Sequence, residues 1–141
     1  MNRIETALSR FAEGFNCSQA VLSACAEGID DETALKISAG FGGGMGRMAD
    51  TCGAVSGAFM VLGLRFGQAS PGREAKEAIY ARIRDFASRF KARNGSLVCR
   101  DLLACDISQP EGLRRATEEK MFSGVCPKFV RDACEILEEM L

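Results

Sequence analysis

Apolar residues recur along this chain at the three- and four-residue spacing of a helix face, and nowhere convincingly at the alternating spacing of a strand. Ile4, Ala7, Leu8, Phe11 and Ala12 share one face of residues 3 to 13, with charges between them and Gly14 closing the segment. Asn16 then stands where an N-cap belongs, Gln19 completes a capping box, and the run from Cys17 carries a second helix toward Gly28. Asp30 and Asp31 can cap a third, short helix over residues 32 to 41, built on Ala34, Leu35, Ile37 and Phe41 and stopped by glycines. Asp50 or Thr51 can cap a fourth, over residues 52 to 66. The longest helix opens at Pro71 and runs to Asn94 and Gly95, with Ala75, Ile79, Ile83, Phe86, Ala87 and Phe90 inward. Its opposite face carries Arg73, Lys76, Arg82, Arg84, Arg89, Lys91 and Arg93, which reads as a solvated stripe. Ser96 can cap a short helix holding Cys99, Leu102 and Leu103, another follows Pro110 and is interrupted at Gly124, and the last starts at Cys126 with Pro127 in the favoured N1 position. Phe129, Val130, Ala133, Ile136, Leu137 and Met140 form its inner face, and Glu138 and Glu139 read as solvated. The pattern predicts an all-α, single-domain irregular bundle of six to eight helices over residues 1 to 141, without repeats or a low-complexity linker.

One stretch breaks the helical pattern. Five of the seven residues from Gly40 to Gly46 are glycine, and no regular element tolerates that density, because each ordered glycine loses more backbone entropy than any other residue. The loop therefore needs a backbone shape open to glycine, or the close approach of another group. The helix after it repeats small residues at Gly53, Ala54, Gly57 and Ala58, a pattern that lets a second helix backbone come close at a cost of about 1 kcal/mol per glycine.

Charge and composition remove several functions. A net charge of −1 gives no electrostatic reason to expect nucleic acid. The longest nearly uncharged run, Thr51 to Leu64, is too short to cross a bilayer, and the amphipathic N-terminus does not resemble an export signal, so a cytoplasmic location is expected. Histidine is absent, which excludes mixed cysteine and histidine zinc sites and leaves sulfur, carboxylates or a cofactor to carry any chemistry. Seven cysteines, an odd number without a CxxC pair, do not read as a disulfide framework.

The helix assignments sort those cysteines. Cys17, Cys52, Cys99 and Cys126 fall at helix starts, where free amides and the positive end of the helix dipole favour a thiolate. Cys25 and Cys134 lie within helices on apolar faces and Cys105 follows the end of one, so these three read as small buried hydrophobes. The same four helix-start residues carry a family resemblance. GFNC at 14 to 17, GFGGGMGR at 40 to 47, CGAVSG at 52 to 57, Cys99 followed by Arg100, Asp101, Leu102 and Leu103, and Cys126 in the last helix resemble the C_GCAxxG_C_C family of redox-active proteins over nearly the whole chain. Cys25, Cys105 and Cys134 are additional to that pattern.

Three chemistries remain open. The first is thiol redox work, disulfide exchange or electron transfer, with Cys52 as nucleophile, Cys17 as its resolving thiol and Cys99 with Cys126 as a second pair or relay. Four cysteines allow three pairings. This reading requires no cofactor, and its partner would be a redox protein or a small thiol. The second has Cys17, Cys52, Cys99 and Cys126 holding zinc or an iron–sulfur cluster. The third makes the loop an anion cradle, with Gly42, Gly43, Gly44 and Gly46 offering amides beside Arg47. Gly44, Gly46 and Ala49 also fit a relaxed dinucleotide fingerprint, but no strand precedes them. Asp50, two residues before Cys52, reads as a helix cap.

Overall fold

The computed structural model describes residues Met1 to Leu141, and its helices start and stop where short-range side-chain chemistry tells them to. Asn2 and Glu5 close a capping box on α1 (Arg3–Glu13), which Gly14 ends in the left-handed conformation at φ 115°. Asn16 and Gln19 repeat the box on α2 (Cys17–Cys25). The Asp30 side chain accepts from the Thr33 amide at 2.7 Å and starts α3 (Asp31–Ser38), which tightens into a 3-10 turn at Ala39–Phe41. After the glycine loop come α4 (Gly53–Phe66), α5 (Arg73–Asn94), α6 (Cys99–Leu103), α7 (Pro110–Glu118) and α8 (Cys126–Met140), the last preceded by a single turn at Met121–Gly124. Eight helices of five or more residues and no strand make this an all-α protein. The one strand-like feature is an isolated antiparallel bridge between Thr51 and Val98. No helix is long and apolar enough to cross a membrane.

A single cluster of 28 buried residues runs through these elements. The most extensive helix pairing is α2 on α4, and glycine makes it possible: a Cβ on Gly57 would sit 2.8 Å from the Ser18 carbonyl oxygen, and one on Gly53 would sit 3.0 Å from the Ser18 amide. The small-residue stripe thus brings the start of α4 onto the start of α2. Helix α8 contacts α1, α2, α4 and α5 and buries Phe129, Val130, Ala133, Cys134, Ile136 and Leu137, close to the face its periodicity predicted. Phe86 and Phe90 of α5 continue this core toward Phe129, with ring centroids 6.1 and 6.3 Å apart along the series.

Some sequence expectations need correction. The basic stripe on α5 is exposed as expected, but part of it is also ion-paired: Arg89 pairs with Asp85 and Glu139, and Arg93 reaches Asp132, Glu135 and Glu139. Glu139 therefore belongs to an inter-helix ion-pair network rather than to a free polar face. Arg82 lies over the Phe66 ring at 3.8 Å. Helix α5 begins at Arg73 with Gly72 as N-cap, so Pro71 stands outside it. The helix after Pro110 ends at Glu118 because Lys120 turns left-handed at φ 55°, before Gly124 is reached.

Candidate functional site

The glycine loop is a left-handed turn. Gly43, Gly44, Met45, Gly46 and Arg47 all have φ between 58° and 68°, and Ala49 follows at 60°. Five consecutive residues in this region would cost an ordinary sequence about 1–2 kcal/mol each, and three glycines remove most of that cost. Met45, Arg47 and Ala49 still bear it, so strain is concentrated beside the cysteines. The turn is closed internally: the amides of Gly46 and Arg47 donate to the Gly42 carbonyl, Met48 to Met45, Ala49 to Gly43 and Asp50 to Gly44. Those five amides are therefore spent; of the four glycine amides of the anion-cradle reading, Gly46 is among them and Gly42, Gly43 and Gly44 are not. Gly44 is also a spacer, since a Cβ there would lie 2.6 Å from the Asp50 amide nitrogen and 2.7 Å from Cys99 Cβ.

The left-handed turn delivers the chain into the Thr51–Val98 bridge, and the bridge sets two cysteines. Cys52 donates its amide to Leu97 at 2.8 Å, while Cys99 donates to Asp50 at 2.6 Å. Arg100 locks the junction, with its guanidinium reaching the carbonyls of Met48 and Ala49 and the carboxylate of Asp50. Asp50 accordingly does not cap α4. Cys52 itself occupies the N-cap position, one residue earlier than the expected first turn, and no side chain closes a capping bond there. Cys17 reaches this junction from α2, its Cβ 3.2 Å from where a Gly53 Cβ would lie.

Cys17, Cys52, Cys99 and Cys126 line one cavity of about 980 Å³, together with Gly42, Gly43, Gly44, Gly46 and Arg47 of the loop. Apolar rings from Phe11, Phe15, Phe122 and Phe129 form much of the remaining wall. Within it Cys17 and Cys126 influence each other most strongly, Cys126 being the largest cause that raises the Cys17 thiol and Cys17 the largest that lowers Cys126. Cys52 and Cys99 flank that pair closely enough for charge on one sulfur to be felt by the others. No three His, Cys, Asp or Glu side chains come together in metal-ligating geometry.

Electrostatics at the four sulfurs differ from the helix-start expectation. Burial pushes the Cys52 thiol up to about 11, although the Ala54 and Val55 amides pull it the other way. Burial, with the neighbouring Cys52 and Cys126 adding to it, pushes Cys99 up to about 12. Only Cys126 is lowered, and the cause is the hydrogen bond from Cys17 rather than the helix end; Cys17 is raised in turn. Burial thus outweighs the helix termini at Cys52 and Cys99, and Cys126 is the one of the four shifted toward the thiolate.

Sequence reasoning passed over two features. Arg100 stands in the sequence only as one residue of a motif, and its clamp on the loop joins residues fifty positions apart. Cys25 and Cys134, read as separate buried hydrophobes, are a second thiol pair with sulfurs 3.3 Å apart. One signal was available: Cys25 follows Cys17 by eight positions, and Cys134 follows Cys126 by eight. Equal spacing on α2 and α8 lets the two helices run parallel with a thiol pair at each end, about 12 Å apart along the axes at 1.5 Å per residue. Cys105 is buried too, its thiol donating to the Gly112 carbonyl at 3.0 Å.

A comparison with family models matches residues 15–140 to C_GCAxxG_C_C, described as "Putative redox-active protein". Searches of curated proteins and of solved structures return no match.

Proposed function

We propose, for a chain that belongs to the C_GCAxxG_C_C family over residues 15–140, a thiol–disulfide exchange protein whose working pair is Cys126 and Cys17. The observation that carries this reading is the convergence of all four helix-start cysteines on one cavity, within which Cys17 and Cys126 are the electrostatically paired two. That pairing favours the Cys126 thiolate, and it makes Cys17 the resolving thiol. Attack by Cys126 on a substrate disulfide breaks that bond, forms a mixed disulfide and releases one substrate sulfur as a thiolate, which takes up a proton. Cys17, giving up its proton, then attacks the Cys126 sulfur, forms the Cys17–Cys126 disulfide and releases the second substrate thiol. Cys52 and Cys99 enter as protonated neighbours, available to reduce the pair again. The partner is a redox protein or a small thiol able to enter the cavity between the glycine loop and the phenylalanine wall.

Reaction with oxidised glutathione tests this. Disulfide mapping is expected to find Cys17 joined to Cys126 in the native sequence and glutathione trapped on Cys126 in Cys17→Ala. Four helix-start cysteines that stay reduced while remaining accessible to alkylation would sink the exchange mechanism.

A further inference from the structure

Cys25 at the end of α2 and Cys134 in the middle of α8 lie outside the cavity that holds the four helix-start thiols. Their Sγ atoms are 3.3 Å apart, and the residues are 2 % and 0 % exposed. Two thiols in contact need only a small side-chain adjustment to form a bond, and their burial bars a macromolecular partner. A small one has a route. Cys25 lines a second cavity, of about 540 Å³, whose wall includes Arg3, Glu27, Arg65 and Glu138, whereas Cys134 does not line it. Arg3 and Arg65 are both paired with Glu27, which holds cationic groups beside the opening to Cys25. The asymmetry assigns roles: Cys25 meets whatever enters, and Cys134 waits behind it.

We propose that Cys25 and Cys134 form a second dithiol site that a small hydroperoxide, of the size of hydrogen peroxide, oxidises to an intramolecular disulfide. Cys25, as thiolate, attacks one peroxide oxygen; the O–O bond breaks, Cys25 becomes a sulfenic acid, and the departing hydroxide takes a proton to leave as water. Cys134 then attacks the Cys25 sulfur, the S–O bond breaks, and hydroxide leaves with the Cys134 proton as a second water. Two thiols and one peroxide give one disulfide and two waters, with both electrons accepted by the peroxide. The Cys25 thiol is held below its ordinary value by its hydrogen bond with Cys134, with burial opposing and Arg3 assisting. The product ties the end of α2 to the middle of α8.

The site is tested in a background that lacks Cys17, so the outcome does not depend on the exchange reading. In Cys17→Ser protein treated with hydrogen peroxide, alkylated and cleaved with trypsin, the peptide of residues 11–36 is expected to be joined to that of residues 132–141 and freed by reductant. Each then carries a single cysteine. The melting temperature of the oxidised protein is expected to rise by several degrees, and Cys134→Ala is expected to abolish the shift. Both cysteines alkylating after peroxide treatment, or Cys25 over-oxidised without a cross-link, would overturn the proposal. Should Cys17→Ser not fold, fragmentation of the cross-linked peptides from the native sequence gives the same answer: a bond from Cys134 to Cys25 supports the site, and a bond from Cys134 to Cys17, or none at Cys134, overturns it.

Discussion

Replacing Gly44 and Gly46 by alanine, one at a time, separates the two reasons for glycine in the loop. Both residues are left-handed, at φ 67° and 58°, so an L side chain costs each about 1–2 kcal/mol. At Gly46 that is the whole effect, because the only atom near the new Cβ is the Gly40 carbonyl oxygen at 3.7 Å. At Gly44 the Cβ would stand 2.6 Å from the Asp50 nitrogen, 2.7 Å from Cys99 Cβ and 2.8 Å from the Ala49 carbonyl carbon. Two of those neighbours are backbone held by the Thr51–Val98 bridge and cannot move aside cheaply. Overpacking of this kind adds about 1–3 kcal/mol, so Gly44→Ala is expected to cost about 2–5 kcal/mol against about 1–2 for Gly46→Ala. The larger figure is a substantial part of a domain's usual stability of about 5–15 kcal/mol. Urea unfolding of both variants with a common slope measures the difference directly. Equal losses, within about 0.5 kcal/mol, would mean that Asp50 and Cys99 give way freely and that Gly44 is no spacer.

Three further outcomes follow from the same geometry. Cys17→Ala removes the donor that lowers Cys126, so iodoacetamide should label Cys126 more slowly at neutral pH, whereas Cys17→Ser retains a donor and should stay near the native rate; equal rates in the two variants would contradict the pairing. Cys52 is raised from 9.0 to about 11 on folding, so its contribution is complete below pH 9.0 and drains as pH rises toward 11; the urea midpoint should fall across that window, and fall less in Cys52→Ala. The buried Ser18 hydroxyl has no hydrogen-bond partner, so Ser18→Ala should leave stability unchanged or raise it by up to about 1 kcal/mol, and a loss larger than that would reveal a partner for the hydroxyl.

What could be read from the sequence was local. Asn16 with Gln19, Asp30 with Thr33, and Gly95 act within four residues of the helix ends they control, so their signals survive without tertiary information. The small stripe at Gly53 and Gly57 likewise announced a close helix contact, though not that Ser18 would be the residue touched. Asp50 failed as a cap because Arg100 competes for it from the far side of α5, and no short-range rule contains that ion pair. The handedness of the glycine turn was not readable, since glycine density permits many shapes and the hydrogen bonds among residues 42 to 50 choose one. Helix-start logic selected the four cysteines but does not contain the burial that raises Cys52 and Cys99. Desolvation depends on the walls of the cavity, and those come from α1, the Met121–Gly124 turn and α8.

The matching eight-residue intervals on α2 and α8 also bear on the order of assembly. Each thiol pair takes one member from near the beginning of the chain and one from near its end, so neither pair exists until α8 has been synthesised and docked. Local helices form within about a microsecond, whereas contacts between distant segments must wait for the chain to close on itself. Five cysteines leave the ribosome before Cys126 and Cys134, and none of them meets the thiol with which it pairs in the folded protein. A nascent chain is thus without either thiol pair, and both come together only when the final helix docks, as a mark of completed folding.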